Sequence, residues 1–194
     1  TALFHAKRGT KLAQIFGNTR NENYFTSDHS HTLQKLDRTQ EAIALIQSRT
    51  EKIDHTDPSC KDAELLNTLG FVQWNLRQSL KNQTNTQLPD ALSTIEQAQT
   101  IASKVCTEGK NKHEQVNTLI NLALVQLDLG HLGAAQRALD EIPSETELKT
   151  FHKEWMLQTQ AEIYLESKKY NQALDVFKKL EEMSGEAIRP YLQA

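Results

Sequence analysis

The chain has 194 residues, of which 38% are hydrophobic and 24% charged, the balance of one ordinary folded domain or a short array of repeats. Its formal net charge of −3 provides no general attraction to phosphate backbones or anionic lipid, so we expect neither nucleic acid nor a membrane as partner. The sequence has only seven glycines and four prolines. Such a small number of turn-forming residues disfavours a β-sandwich or barrel, which needs many turns.

The two cysteines, Cys60 and Cys106, are too few for a disulfide framework. They favour reduced thiols in a reducing compartment, and we therefore expect a cytoplasmic location. The chain starts at Thr1 without a charged-then-apolar leader, and we expect it to be a portion of a larger protein.

Residues 1–56 are predicted to form an N-terminal region of helices and a polar loop. Helices are expected at 1–16 and at 31–53, where apolar residues recur with helical spacing. The intervening stretch, 17–30, is rich in polar residues and is predicted to be a long loop.

From residue 57 onward the pattern alternates between helices and short connections. Asp57 can cap a helix and Pro58 fits its first turn, so a helix is predicted from there to about residue 80. Gly130 is expected to end a later helix. The further predicted helices span about 89–107, 112–129, 132–142, 147–167 and 170–184.

Two segments of the chain, 118–139 and 156–177, align with each other without a gap. The aligned pairs are Ala123 with Ala161, Gln126 with Tyr164, Leu132 with Tyr170, Ala135 with Ala173, and Leu139 with Phe177. This pattern of small and large residues resembles the tetratricopeptide (TPR) repeat. A third copy carries Leu69, Gly70, Ala91 and Ile95 with a longer loop between its helices, and the helix around Ala42 and Ile46 resembles half of a degenerate fourth.

The resemblance implies an all-α fold, a right-handed α-solenoid of antiparallel helix pairs. About three clear repeats would occupy 57–194, with a degenerate one in 1–56. A single helix pair cannot bury its apolar stripe, so neighbouring pairs must stack. Small residues at the six positions Gly70, Ala91, Ala123, Ala135, Ala161 and Ala173 are expected at close helix contacts. Tyr164, Tyr170 and Phe177 are expected to fill the space between turns.

One helix stripe stands out because polar residues interrupt an apolar run. Asn117, Asn121, Leu124 and Asp128 fall within about 60° of one another on a helical wheel. In proteins similar to the TPR family this stripe faces the concave groove that binds ligands. Asn offers a peptide backbone both a donor and an acceptor. The alternative, that Asn121 only satisfies a neighbouring helix, stays open.

Equivalent positions extend this candidate groove onto the flanking helices, where Glu64 and Thr68 share the stripe. Phe71 and Trp155 are interpreted as packing residues rather than as platforms for a peptide. The three acidic residues Asp128, Glu162 and Glu166 are either solvated charges or an acidic end of the groove. The candidate groove comprises Asn67, Phe71, Asn75, Asn117, Asn121, Leu124, Asp128, Trp155, Gln158, Thr159, Glu162 and Glu166.

The expected partner follows from the charges of this stripe. TPR domains that bind chaperones hold an acidic C-terminus with a clamp of Lys, Arg and Asn residues. The corresponding residues here are Asn67, Phe71, Asn121, Trp155 and Thr159, so one Asn matches and every cation is missing. The sequence therefore favours a neutral or basic peptide or protein segment.

We expect no catalytic activity, no cofactor and no metal. His29 and His31 have no third ligand at a matching spacing. Cys106 and His113 are disfavoured as nucleophile and base, because a helix C-terminus raises the pKa of a thiol. The leading hypothesis is a non-catalytic scaffold or adaptor domain. The alternatives are a peptide-sensing domain of a bacterial regulator, or self-assembly into a homodimer through Tyr164, Tyr170 and a helix near Ile188.

Overall fold

The computed structural model describes residues 2–80, 90–107, 109–143 and 148–184. Within these ranges the chain forms nine α-helices and no strand, which confirms the all-α prediction. The helices are α1 Ala2–Ile15, α2 Thr19–Gln34, α3 Thr39–Thr50, α4 Cys60–Leu80, α5 Ala91–Val105, α6 Lys112–Asp128, α7 Leu132–Asp140, α8 Thr150–Glu166 and α9 Tyr170–Ser184. The predicted start of a helix at residue 89 and the helix near Ile188 lie outside the described residues.

The chain divides into two compact units, Thr1–Thr118 and Leu119–Ala194. In the first unit, α4 packs against α2, α3 and α5, and α2 also packs against α1 and α3. In the second unit, α8 packs against α7 and α9. None of the helices in the described part of the chain has the length and apolarity needed to cross a membrane.

The helices predicted from residue 57 onward are confirmed, with ends that differ by a few residues. Gly130 ends α6 as expected, since its φ of +77° is open to glycine at little cost. The amide of Gly130 donates to Leu127 O, and the amide of His131 donates to Gln126 O, both at 2.9 Å. This is the Schellman arrangement, which satisfies the last carbonyls of a helix.

The predicted loop at 17–30 is wrong, because most of it belongs to α2. Asn18 caps this helix by accepting a hydrogen bond from the amide of Asn21 at 3.0 Å. The helix buries a face of small polar residues at helical spacing, Asn23, Thr26, Ser27 and Ser30. A search for apolar periodicity overlooks such a face, although the spacing is that of an amphipathic helix.

The single helix predicted at 31–53 is also wrong, since α2 ends and α3 begins within it. Asp37 separates them with a φ of +57°, a left-handed conformation that glycine usually supplies. The amides of Asp37 and Arg38 donate to the carbonyls of Gln34 and Leu33, each at 3.0 Å. The break therefore carries no glycine or proline signal in the sequence.

The six small residues of the repeat pattern are all buried, as predicted. At Gly70 the helices α4 and α5 come so close that an added Cβ would lie 2.2 Å from Ile95 Cγ1. Tyr164 and Phe177 pack against a core cluster of the second unit. The expectation for Tyr170 is wrong: it is the first residue of α9, and its side chain is 63% exposed.

The expectation of two reduced cysteines is wrong, because Cys60 and Cys106 form a disulfide. Cys60 begins α4 and Cys106 directly follows α5, and their Cα atoms lie 5.3 Å apart. A count of cysteines did not reveal the bond, because it depends on the antiparallel packing of two helices that brings these ends together.

Candidate functional site

A partly buried carboxyl group, that of Glu114, lies among polar side chains of α4 and α6 in the first unit. Asn67 Nδ2 donates a hydrogen bond to Glu114 Oε1 at 3.0 Å. Asn117, one turn further along α6, also hydrogen bonds to Glu114. Glu64, one turn before Asn67, adds a second carboxylate, which pairs with Lys61. These five residues are called the Glu114 cluster below.

The electrostatics of the cluster make Glu114 titrate near neutral pH. The pKa of Glu114 is raised to about 7, first by burial and second by the nearby Glu64 carboxylate. The hydrogen bonds from Asn67 and Asn117 and the charge of Lys61 lower the pKa, but by less than the two opposing effects. A cation placed beside Glu114 would favour its ionised form, so the cluster is suited to bind an ammonium or guanidinium group.

The Glu114→Gln variant should be more stable than the wild type above neutral pH. An unfolded Glu has a pKa near 4.5, so between 4.5 and about 7 the folded protein holds a proton that the unfolded chain releases. Stability linked to this proton is complete below pH 4.5 and is lost as the pH rises through 7. We expect this loss to reach about 3 kcal/mol by pH 8.

Urea unfolding of the wild type and of Glu114→Gln at several pH values tests this expectation. The difference in unfolding free energy between the two proteins should grow with pH in favour of the variant. Glu96→Gln makes the same change on an exposed residue of α5 and should follow the wild type. If the unfolding free energies of wild type and Glu114→Gln changed with pH in parallel, this would contradict the raised pKa of Glu114.

The remaining predicted groove residues of the first unit make contacts within α4. The ring of Phe71 lies 5.6 Å from that of Trp74 at a tilt of 38°. Asn75 Nδ2 donates to the Phe71 carbonyl oxygen at 3.1 Å. These contacts agree with Phe71 as a packing residue, and they engage the Asn75 amide locally.

In the second unit, two of the predicted groove residues are almost completely buried. Asn121 is 7% exposed and Thr159 is 2% exposed. Thr159 Oγ1 donates to the Trp155 carbonyl oxygen at 2.9 Å. Leu124 and Asp128 are partly buried on α6. Burial of this kind favours the interpretation in which Asn121 is satisfied within the protein.

The exposed part of the predicted set lies on one face of α8. Trp155, Gln158, Glu162 and Glu166 follow one another at helical spacing, and all are exposed. The packing interpretation of Trp155 is therefore wrong: it is 46% exposed, and its ring meets that of Phe151 edge-on at 6.3 Å. Partial burial raises the pKa of Glu162, and the Glu166 carboxylate adds to that effect.

Three members of the Glu114 cluster, Lys61, Glu64 and Glu114, were missing from the predicted groove, although Glu64 was placed on its stripe. Glu114 lies one turn before Asn117 on the same stripe of α6, so an extension of the stripe toward the start of the helix would have included it. Lys61 stands at the equivalent position of α4, three residues before Glu64, so the same extension would have included it as well.

The described residues contain no group of three or more His, Cys, Asp and Glu side chains placed to hold a metal ion. Cys106 is held in the disulfide and so offers no thiolate as a nucleophile. A scan against protein-family models and a search of curated proteins both find no match to this chain.

Proposed function

We propose that this chain is a non-catalytic protein-interaction domain of a larger protein, and that it binds a basic peptide or protein segment. The Glu114 cluster carries the proposal. Two amides, from Asn67 and Asn117, surround a carboxyl group that burial keeps partly protonated, and the Glu64 carboxylate lies nearby. A Lys, an Arg or a free amine of a bound segment would complete this arrangement by ionising Glu114.

We further propose that the helices form a TPR-like α-solenoid. Helix pairs formed by consecutive helices, such as α4 with α5 and α8 with α9, support this proposal. The burial of small residues at equivalent positions of these pairs supports it as well. In such an architecture the stripe of Asn67 and Asn117 would line the concave side.

The charge of the second unit supports the same class of partner. The exposed face of α8 presents Glu162 and Glu166 one turn apart, together with the aromatic side chain of Trp155. A carboxylate pair attracts cations, and an indole ring attracts them through its negative face. Both units therefore favour a segment with positive charge over an acidic one.

A displayed library of random peptides, selected against the whole chain at pH 8, tests this function. Selected peptides should be enriched in Lys or Arg, and acetylation of the critical lysine should abolish binding, since it removes the charge. Binding should be about tenfold weaker at pH 6 than at pH 8, because the ligand must displace the Glu114 proton.

The Glu64→Gln/Glu114→Gln double variant supplies the decisive comparison, with Glu96→Gln as the matched control. We expect the double variant to lose the preference for basic peptides and the pH dependence, while the control keeps both. Selection of peptides without enrichment in basic residues, or equal binding by the double variant, would reject the proposal.

Self-assembly is a second candidate, because the outer surface of α9 carries exposed apolar side chains. Tyr170 and Leu174 lie one turn apart and are 63% and 48% exposed. A solution mass of twice 22.0 kDa that returns to the monomer value in Leu174→Lys would support a homodimer through this face. A monomer at all accessible concentrations would exclude it.

The disulfide changes the proposed location. The cytoplasmic prediction depended on reduced cysteines, and the bond between Cys60 and Cys106 removes that basis. Disulfides form and persist in oxidising environments and are rare in the cytosol. We therefore propose that the domain works in an oxidising compartment or outside the cell.

A further inference from the structure

A second candidate site lies in the first unit, in a cleft of about 620 Å³. Residues of α2 and α3, the connection between α3 and α4, and the start of α4 line it. Clefts between 300 and 1,000 Å³ are of the size that holds small ligands in proteins, on the order of a few amino acids in volume. Lys61 of the Glu114 cluster also lines this cleft, but Glu114 itself does not.

A buried cation on the wall of the cleft has an unused hydrogen-bond donor. Arg49 of α3 is only 7% exposed, and no described residue accepts a hydrogen bond from its Nε. Glu22 forms an ion pair with Arg49, but its Oε1 atom lies 3.6 Å from this Nε, beyond hydrogen-bond distance, and accepts a hydrogen bond from Gln14. A buried guanidinium N–H without an acceptor costs free energy, which a ligand carboxylate would recover.

A buried acceptor on the same wall is also unused. Asn23 of α2 is 2% exposed, and its Nδ2 donates to Asp62 Oδ1 at 2.8 Å. The other oxygen of Asp62 accepts hydrogen bonds from the amide and hydroxyl of Ser59 at 2.9 and 2.7 Å. An ionised carboxylate only accepts, so the NH₂ group of Asn23 must face Asp62. Its Oδ1 then points elsewhere and receives no hydrogen bond from the described residues.

The charges that line the cleft are of both signs. Lys52 and Lys61 are cations besides Arg49, and Asp54, Asp57 and Asp62 are carboxylates. A multiply charged anion such as phosphate would meet these carboxylates, whereas a simple amine would leave Arg49 without an acceptor. A ligand with separate negative and positive ends matches both signs.

We propose that the cleft binds a small zwitterion, a free amino acid or a short peptide with free ends. Its carboxylate would accept hydrogen bonds from Arg49 Nε and attract Lys52. Its ammonium group would donate to Asn23 Oδ1 and attract Asp57. This arrangement satisfies both buried groups and pairs each charge of the ligand with an opposite charge of the cleft.

NMR titration of the whole, oxidised chain tests this site directly. The probes are glycine, L-alanine, L-lysine, L-glutamate and the dipeptide Ala-Ala, with acetate, methylamine and inorganic phosphate as comparisons. At least one zwitterion should shift both the Arg49 Nε–H and the Asn23 Nδ2 resonances at concentrations up to about 10 mM. The three comparison probes should bind at least tenfold more weakly, about 1.4 kcal/mol.

Variants at exposed positions avoid the risk of misfolding. Lys52→Gln and Asp57→Asn should each weaken binding about three- to tenfold, because each removes one attraction to the zwitterion. Lys104→Gln makes the same change on an exposed residue outside the cleft and should bind like the wild type. Arg49→Lys changes a buried position instead; it keeps the charge but loses the Nε donor, and it should abolish binding while the NMR spectrum shows that the chain is folded.

Three results would overturn the proposal. One is the absence of a shift at Arg49 and Asn23 with every zwitterion. Another is acetate or phosphate binding as tightly as the best zwitterion. The third is equal binding by wild type, Lys52→Gln and Asp57→Asn.

Discussion

Reduction of the disulfide between Cys60 and Cys106 is expected to lower the free energy of unfolding of the first unit by about 4 kcal/mol. The two cysteines are 46 residues apart in sequence, so the bond closes a long loop in the unfolded chain. Closing a loop of this size removes conformational entropy from the unfolded state, and the folded state gains relative stability.

The measurement follows urea unfolding by tryptophan fluorescence in a Trp155→Phe background, which leaves Trp74 of α4 to report on the first unit. The oxidised protein is compared with the same protein in a thiol-free reductant, so the bond alone changes. Cys60→Ala/Cys106→Ala is the control, and the reductant should leave its unfolding midpoint unchanged. An oxidised and a reduced protein with the same midpoint would refute the expected contribution of the bond.

The Gly70→Ala substitution should destabilise the first unit by about 2 kcal/mol, although alanine is the better helix former. A Cβ at this position would lie 2.2 Å from Ile95 Cγ1 and 3.3 Å from the Ala91 carbonyl oxygen. Ile95 is fully buried, so it has no open space into which to move. Overpacking therefore outweighs the gain of about 1 kcal/mol in helix propensity.

A double-mutant cycle separates the clash from a general effect of losing glycine. Ile95→Ala removes the Cγ1 atom, so Gly70→Ala should cost much less in that background, with a coupling energy of at least 1 kcal/mol. Gly133→Ala in α7 is the matched control, because an added Cβ there meets only the end of the Arg137 side chain at 3.6 Å. It should leave the second unit as stable as before or slightly more so. If Gly70→Ala lowered the unfolding free energy equally in the wild type and in Ile95→Ala, a clash with Ile95 would not be the cause of the destabilisation.

The sequence predicted the helices beyond residue 57 well, because their signals are local. Asp57 and Pro58 indicated the start of one helix to within a few residues, although α4 begins at Cys60, and Ser59 and Asp62, not Asp57, make the hydrogen bonds there. Gly130 marked the end of another helix at a backbone angle that favours glycine. The same reasoning failed at α2, whose buried side chains are polar, and at Asp37, which adopts a left-handed angle without being glycine. Predictions from the spacing of apolar residues and from turn-forming residues describe the average protein. The helix α2 and the turn at Asp37 both depart from that average.

The candidate site was predicted only in part. Asn67 and Asn117 were selected from a stripe on a helical wheel, and they do converge on one carboxyl group. The same stripe also selected Asn121 and Thr159, which are buried as Asn67 is, because a wheel gives the direction of a side chain but not what covers it. Whether a polar residue faces solvent or a neighbouring helix depends on packing between helices.

The sequence by itself therefore determined the helical class of this protein and the positions of its small residues, since composition and spacing along one helix carry that information. Only the tertiary structure decided the bond between Cys60 and Cys106, the raised pKa of Glu114, and the meeting of Asn23 with Arg49 in one cleft. Each of these joins residues from different helices. Their proximity and their desolvation arise only when those helices pack together.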